Sequence, residues 1–377
     1  MNKKVLITGA TGQDGSYMAE YLLENTDNTL ILAARRTSQA ILGNIEHLLG
    51  DPRVKLITLD LMDGSAIRKT IKEEKPDYFI NLGAQTFVAD SWQHPEQHMQ
   101  INSLSLIHIL EAVREYVPHC RVYSAGSSEQ FGDVKTPFQN EDHPMSPRSI
   151  YGVSKCTSQL LCKVYRESYG LYVVHGILFN HESPRRQDYF VTRKITKGVA
   201  RIAKALKEGK PFEPISLGNL DAKRDWSFAG DFVVGIWMML NQDEFNKNIK
   251  KHIEFNDLKR SSAWQQLITR TIYFNDYILS SGETHSIREF VELAFQAANI
   301  TGMWESKYPL TPENENYSTG SGNMHKTLVV VDPKFYRPAE VNLLQGDSTL
   351  ARTELGWQPK VSFEELIKMM VQADLKK

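Results

Sequence analysis

Tyr151 and Lys155, four residues apart in the motif IYGVSK, form the pair whose spacing points most directly to chemistry. The motif opens a predicted helix, and positions i and i+4 share one helix face. Because an ammonium group beside a phenol favours the phenolate, Lys155 is expected to lower the pKa of Tyr151. The pair then predicts proton exchange with a substrate hydroxyl near neutral pH. Chance gives about one such pair in a chain of this size, so neighbouring motifs carry much of the prediction.

Ser127 and Glu129 lie in VYSAGSSEQFG, directly after the predicted fifth strand. The carboxyl ends of strands in an α/β sheet face the ligand crevice. Ser127 could therefore hydrogen-bond a substrate and share a proton with Tyr151, and Glu129 is a candidate general acid or base. The alternatives are a turn residue for Ser127 and a solvated loop carboxylate for Glu129.

Three glycines, Gly9, Gly12 and Gly15, follow the first predicted strand in VLITGATGQDG. Glycine lets the backbone turn tightly and approach a pyrophosphate, which would lie on the N-terminus of the next helix. A glycine triplet alone also fits a plain turn. Its place between a strand and a helix favours a dinucleotide site.

The end of the second predicted strand carries Arg35 and Arg36. An NAD enzyme usually has Asp or Glu there for the ribose 2′-hydroxyl, whereas two guanidinium groups suit a 2′-phosphate. The pair therefore predicts NADP, with two solvated loop arginines as the alternative. Asp60 and Leu61, which end the third strand, suit the adenine edge.

The elements that must position these residues alternate between strands and helices, which predicts an α/β fold with a doubly wound, Rossmann-type parallel sheet. The predicted strands are Val5–Ile7, Thr29–Ala34, Lys55–Leu59, Tyr78–Asn81, Arg121–Ser124 and Val173–Leu178. The predicted helices are Ser16–Glu24, Ser65–Glu73, Ser103–Tyr116 and Val153–Tyr169.

The pattern becomes irregular after Phe179. Strand and helix signals return at Tyr277–Ser281 and Ser286–Ala298, and an apolar helical face follows at Phe363–Val371. Residues 246–271 resemble an insertion, residues 313–324 are expected to form a surface loop, and residues 90–97 are treated as a loop.

Composition excludes several classes of function. The chain has 377 residues and a formal net charge of −1, so no global field would attract nucleic acid or an anionic membrane. Its histidines and three cysteines show no zinc-like spacing, and free thiols at Cys120, Cys156 and Cys162 fit a reducing compartment. With no long apolar run and no cleavable-signal pattern, a cytoplasmic protein without a metal is expected.

These motifs together resemble the extended short-chain dehydrogenase/reductases. Within them, the segments GQDGSYMAEYLLE, NLGAQTFV, GILFNHESPRR, FVTRK, SLGNLDAKRDW, FYRPAEV and LGWQP resemble the GDP-mannose 4,6-dehydratase family. The resemblance spans nearly the whole chain. It implies a Rossmann domain for NADP, formed by residues 1–178 and about 226–285, and a smaller C-terminal α/β domain for the GDP-sugar, formed by about 179–225 and 286–377.

The resemblance also implies roles for individual residues. Tyr151 would take the C4 hydroxyl proton, Glu129 would remove the C5 proton, Ser127 and Glu129 would assist water loss from C6, and Lys155 would tune Tyr151 and hold the nicotinamide ribose. Cofactor contacts are expected at Gly9, Gly12, Gln13, Asp14, Gly15, Arg35, Arg36, Asp60, Leu61, Leu82, Ala84, Tyr151, Lys155, His181 and Arg186. Substrate contacts are expected at Gln85, Ser127, Glu129, Asn180, Val191, Lys194, Leu217, Asn219, Lys223, Arg224, Arg337 and Glu340.

Departures from the family leave the sugar open. The family carries ASTSE where this chain has AGSSE, so the hydroxyl is that of Ser127 rather than a threonine, and Met145 and Ile150 change the surface near Tyr151. A GDP-manno-heptose is an alternative substrate. An epimerase or reductase of the same fold, or a non-catalytic NADP-binding protein, are further alternatives, which Glu129 and the intact Ser127, Tyr151 and Lys155 disfavour. Homodimers through the helices at 103–116 and 153–169 are expected, or tetramers through residues 37–44.

Overall fold

The computed structural model describes residues 2–35, 42–245, 274–306, 315–320, 325–335 and 343–377. Arg36, Arg337, Glu340, the proposed insertion at 246–271 and most of the loop at 37–44 lie outside these ranges. Within them, no helix is long and apolar enough to cross a membrane, and no group of His, Cys, Asp and Glu side chains could hold a metal ion. The three cysteines are buried, free thiols.

A seven-stranded parallel sheet forms the centre of the larger part of the molecule. Its strands, in the order β11-β6-β5-β4-β1-β2-β3, are β1 (Lys4–Thr8), β2 (Thr29–Ala34), β3 (Val54–Thr58), β4 (Tyr78–Asn81), β5 (Arg121–Ala125), β6 (Val173–Leu178) and β11 (Tyr277–Leu279). The order reverses between β1 and β4, and a doubly wound sheet opens its ligand crevice at such a point. The predicted sheet is therefore confirmed.

Successive side chains along a strand point to opposite faces of the sheet, and helices bury both faces. Val5 and Ile7 of β1 pack into the core on one face, whereas Leu6 packs into the core on the other. The first face is covered by α1 (Gln13–Asn25) and α7 (Ala229–Leu240). The second face is covered by α2 (Gly64–Glu74), α4 (Ser105–Tyr116) and α5 (Ile150–Tyr169).

A smaller α/β layer follows in the C-terminal part of the chain. A four-stranded sheet has the order β13-β14-β15-β8, formed by β8 (Ile215–Leu217), β13 (Met303–Ser306), β14 (Glu315–Thr319) and β15 (Lys326–Val331). Three helices share a core with it: α6 (Val191–Lys207), α9 (Ile287–Ala297) and α10 (Phe363–Leu375). Capping boxes start α9 and α10, each pairing a serine with the glutamate three residues on.

Short strands connect the two parts. They are β7 (Asn180–Glu182) beside β10 (Trp226–Phe228), and β9 (Lys223–Arg224) between β12 (His285–Ser286) and β16 (Leu343–Leu344). A segment near the C-terminus also packs against the large sheet: Ala351, Leu355 and Trp357 lie in its core. Two short helices, α3 (Pro95–Met99) and α8 (Gln242–Phe245), complete the described elements of these types.

Three expectations from the sequence are wrong. The region after Phe179 is not irregular, since α6 and α7 lie in it. Residues 90–97 are not a single loop, because a 3-10 helix, Val88–Trp92, and α3 occupy all of them except Gln93 and His94. Residues 315–319, expected in a surface loop, form β14, which pairs with β13 on one side and β15 on the other. Hydrogen bonding of the backbone to both neighbouring strands makes this polar segment a strand, although its pairing with β15 is interrupted between Tyr317 and Ser318.

Candidate active site

The glycine loop between β1 and α1 packs closely against the first residues of the loop that follows β4. Gly9 has a φ of +67°, and a Cβ there would lie 2.7 Å from the Gly83 nitrogen. A Cβ at Gly15 would lie 2.3 Å from the Gly9 carbonyl oxygen. Both positions therefore require glycine, and the N-cap position of α1 carries no side chain that could cap the first backbone N–H groups of the helix. Gly12 is the N-cap of that helix.

Asp14, in the first turn of α1, pairs with His181 of β7. His181 Nε2 lies 3.0 Å from Asp14 Oδ2, and Gln13 Nε2 donates to the His181 carbonyl oxygen at 3.0 Å. Burial opposes the charge on both partners, but their mutual attraction and hydrogen bond outweigh it. The pKa of Asp14 is accordingly lowered and the pKa of His181 is raised. The pair fixes β7 to the glycine loop across the crevice.

The four predicted catalytic residues line one cavity. Ser127 caps a 3-10 helix, Ser128–Gln130, and its Oγ accepts a hydrogen bond from the Glu129 nitrogen at 3.3 Å. The Ser127 side chain also hydrogen-bonds the Tyr151 hydroxyl, and Glu129 is close enough to raise the pKa of Tyr151. The ring of Tyr151 is held in place by an edge contact with His98 of α3.

Lys155 points past Tyr151 into the sheet rather than at its hydroxyl. Its Nζ donates to the Ala125 carbonyl oxygen at 2.7 Å and lies 5.7 Å from the Tyr151 ring centroid. Burial raises the pKa of Tyr151 to about 12 and lowers the pKa of Lys155 to about 8. The pKa of Tyr151 is therefore raised rather than lowered in the protein by itself, because burial of the phenol is the largest cause, and the groups that lower this pKa are Ser127 and Arg186 rather than Lys155.

A cavity of about 660 Å³ joins the crevice of the large sheet to the smaller layer. It brings together most of the residues that the sequence predicted for cofactor and substrate. Those that line it are Asp14, Leu82, Ala84, Ser127, Glu129, Tyr151, Lys155, Asn180, His181, Arg186, Val191, Lys194, Leu217, Asn219 and Arg224.

Several predicted residues lie outside the cavity lining. Gly9 and Gly12 lie in the glycine loop, and Gln13 and Gly15 lie in the first turn of α1. Gln85 hydrogen-bonds Asn102 through its backbone nitrogen. Arg35 is exposed directly after β2, and Asp60 is exposed after β3 whereas Leu61 is buried. Lys223 is exposed on β9, beside the cavity-lining Arg224. The positions of Arg36, Arg337 and Glu340 lie outside the described residues.

The cavity also contains residues that sequence reasoning missed. Phe87, Tyr189 and Phe190 form an aromatic cluster with ring centroids 4.7 to 6.2 Å apart. Phe87 is about a hundred residues from the other two, so no local pattern could reveal the cluster. Lys334 and Phe335 also line the cavity, and Lys194 Nζ lies 3.5 Å from the Phe335 ring centroid. The signal that could have indicated them is the quoted FYRPAEV motif, of which Phe335 is the first residue and which Lys334 directly precedes.

The fold and this arrangement are those of the extended short-chain dehydrogenase/reductase class: a parallel sheet with a glycine loop after its first strand and Ser, Tyr and Lys side chains at one crevice. A solved structure at TM-score 0.73, the UDP-glucuronic acid 4-epimerase of Bacillus cereus, has the same fold at 19% identity and covers 99% of both chains.

Comparison with protein families narrows this class. The family model of GDP-mannose 4,6 dehydratase matches residues 6–270 and 259–370. The GDP-mannose 4,6 dehydratase of Cricetulus griseus is 40% identical over 99% of this chain and 91% of that protein. The GDP-mannose 4,6-dehydratase of Vibrio cholerae serotype O1 is 38% identical over 100% of this chain and 94% of that protein. The chain belongs to the GDP-mannose 4,6-dehydratase family.

Proposed function

We propose that the protein is a GDP-mannose 4,6-dehydratase, a hydro-lyase that converts GDP-mannose to GDP-4-keto-6-deoxymannose with bound NADP. The observation that carries the proposal is a carboxylate, Glu129, on the same cavity wall as Ser127 and Tyr151. Oxidation of the sugar at C4 needs only the serine, tyrosine and lysine side chains beside the cofactor. Loss of water also needs a base that removes the C5 proton. Family membership makes that second reaction the expected one.

The residues at the crevice fit a dinucleotide. Gly9 and Gly15 leave no room for a Cβ, and the N-terminus of α1 behind them offers backbone N–H groups to a pyrophosphate. Arg35 is exposed at the end of β2, where a 2′-phosphate would need a cation. When bound, NADP would supply a nicotinamide that takes the C4 hydride and returns it to C6.

Each catalytic side chain has a task that its position supports. Tyr151 would accept the C4 hydroxyl proton, with Ser127 hydrogen-bonded to the same phenol oxygen. Glu129 would remove the C5 proton, made acidic by the C4 ketone, and pass a proton to the departing C6 hydroxyl with help from Ser127. The proton held by Tyr151 would return to C5, so the reaction loses one water without net oxidation. Lys155 would hold the nicotinamide ribose.

Cations on the smaller layer would hold the diphosphate of the nucleotide sugar. Lys194 and Arg224 line the cavity, and Lys334 lies beside Lys194. Burial and the charge of Lys334 lower the pKa of Lys194, and an anionic ligand would reverse that effect. The remaining proposed substrate contacts are Gln85, Asn180, Val191, Leu217, Asn219, Lys223, Arg337 and Glu340.

The test is incubation of the purified protein with GDP-mannose and, separately, with a GDP-manno-heptose, followed by mass spectrometry. We expect loss of one water from one of these sugars, with no stoichiometric consumption of NADPH. Recovery of unchanged substrate, or NADPH oxidised one for one, would refute the proposal. A product from the heptose alone would establish the heptose dehydratase instead.

A matched pair of variants separates dehydration from the other reactions of this fold. Glu129→Gln should abolish water loss while NADP still binds, because only the base is removed. Glu283→Gln, on an exposed glutamate away from the cavity, is the control and should retain activity. A fully active Glu129→Gln enzyme would point to an epimerase or reductase.

Assembly into homodimers or homotetramers is part of the same proposal. Val153, Leu160 and Val164 are exposed apolar residues at helical spacing on α5, and Leu104 is exposed just before α4. Such a stripe favours a helix-helix interface. Light scattering coupled to size-exclusion chromatography should give a dimer or a tetramer, and a monomer at micromolar concentration would contradict it.

A further inference from the structure

Gln130, the residue after Glu129, is fully buried behind the catalytic wall and connects several segments of the chain. Its Oε1 accepts the Ser127 backbone N–H at 3.0 Å and faces His175 Nε2, also at 3.0 Å. Its Nε2 donates to Gln159 Oε1 of α5 at 2.6 Å. The side-chain amide therefore holds the backbone of Ser127 by a direct bond and is itself held from β6 and α5.

The partner His175 has only one arrangement of protons that satisfies this network. Its ring is fully buried on β6, with Nδ1 lying 3.3 Å from Ser124 Oγ. Burial and nearby cations lower the pKa of His175 well below its ordinary value, so the ring is neutral. Since Gln130 Oε1 can only accept, the proton lies on Nε2 and Nδ1 accepts from Ser124.

Gly126 provides independent evidence that the chain is shaped around this contact. A Cβ at Gly126 would lie 2.3 Å from His175 Nε2 and 2.8 Å from Gln130 Oε1. Any side chain at this position would displace the hydrogen bond between them.

We propose that Gln130, supported by His175 and Gln159, is a positioning residue that sets the backbone of Ser127 and thereby the direction of Glu129. The capping box makes this coupling specific, because the Ser127 N–H bonds the Gln130 side chain while Ser127 Oγ bonds the Glu129 nitrogen. A shift of Ser127 therefore moves the hydroxyl and the carboxylate together. The inference rests on the proposed dehydratase function and extends it to residues that do not line the cavity.

Four variants test the proposal in steady-state assays on GDP-mannose or the heptose substrate, whichever is dehydrated. Gln130→Leu removes the acceptor for Ser127 and His175, and His175→Leu removes only the support. His175→Gln keeps an N–H at a similar reach and is the conservative rescue. Gln139→Leu is the matched control, since Gln139 is equally buried and its amide makes three hydrogen bonds, but to Thr136, Pro137 and Gln345.

We expect kcat of Gln130→Leu to fall about 10- to 100-fold, since a small misplacement of catalytic groups costs that much, while KM changes less than about threefold. His175→Leu should lose about five- to tenfold in kcat, and His175→Gln should recover most of it. Gln139→Leu should keep the wild-type kcat in the folded fraction. If Gln130→Leu does not fold, the difference between His175→Leu and His175→Gln decides.

Two kinds of result would count against the proposal, and they can be distinguished. Wild-type protein that releases no water from either sugar would overturn the proposed function and this inference with it. A dehydrating wild type would overturn this inference alone if Gln130→Leu and His175→Leu kept its kcat, if His175→Gln were as slow as His175→Leu, or if Gln139→Leu lost as much kcat as Gln130→Leu.

Discussion

Replacing Lys155 by methionine should stabilise the protein most at neutral pH while it disables the active site. Lys155 is buried, and burial lowers its pKa from 10.5 to about 8. Holding the charged form inside the protein therefore costs about 3 kcal/mol, at roughly 1.4 kcal/mol for each pH unit between those values. The substitution also removes the hydrogen bond from Lys155 Nζ to the Ala125 oxygen, and this loss lowers the free energy of unfolding by about 1–3 kcal/mol.

The pH dependence isolates the charge from that hydrogen bond. Below pH 8 the lysine is charged in both the folded and the unfolded protein, so the whole cost is present. Between pH 8 and 10.5 the unfolded chain binds the proton and the folded one does not, so the free energy of unfolding of the wild type rises. Lys155→Met has no titrating group at this position, so its free energy of unfolding does not show this rise. Its advantage over the wild type should therefore shrink by about 3 kcal/mol across that window.

Urea unfolding followed by intrinsic fluorescence, without cofactor and at several pH values from about 7 to about 10.5, measures the difference. Lys163→Met is the matched control, because Lys163 is exposed on the same helix. A difference between Lys155→Met and wild type that does not change with pH, or the same change in Lys163→Met, would refute the reasoning. In the dehydratase assay, Lys155→Met should lose about 100-fold or more in kcat.

Three further predictions follow from described contacts. Gly15→Ala should weaken NADP binding in calorimetry by at least about tenfold, because its Cβ would lie 2.3 Å from the Gly9 oxygen; unchanged affinity would contradict a rigid loop. Arg193→Leu should lower the free energy of unfolding by about 3–5 kcal/mol, since it leaves the buried Asp374 without its ion pair; a loss below about 1 kcal/mol would show that the carboxylate is solvated. Asp14→Asn should destabilise most near pH 5.5 and less as pH rises through the raised pKa of His181, where that histidine loses its charge; a gap that widens with pH would be the wrong sign.

The sequence predicted best what local patterns encode. Apart from the partly exposed edge strand β3, the strands of the large sheet are short apolar runs buried on both faces, and the ends of β1 and β5 carry the glycine loop and the Ser127–Glu129 segment. Helix α6 could also have been found, because Val191, Ile195, Val199 and Ile202 recur at helical spacing. It was missed because charged residues surround this stripe.

Other features depend on tertiary contacts that no window of sequence contains. Helix α7 is apolar on nearly every side because it packs between α1 and the sheet. Its sequence therefore lacks the alternation of apolar and polar residues that identifies a helix with one exposed face. Strand β14 is polar, and only its neighbours β13 and β15 make it a strand. The pKa of Tyr151 was predicted with the wrong sign because spacing reveals the nearby charge but not the burial.

The late return of the chain to the large sheet bears on how the protein is made. Trp357 packs into the core of that sheet, and its Nε1 donates to the carbonyl oxygen of Asp231 in α7 at 2.8 Å. The Asp231 carboxylate in turn accepts the backbone N–H groups of Lys360 and Val361. During synthesis, the first sheet therefore emerges from the ribosome long before the residues that complete its core. An N-terminal fragment that ends before Trp357 would therefore leave part of the α7 side of this core without its covering residues.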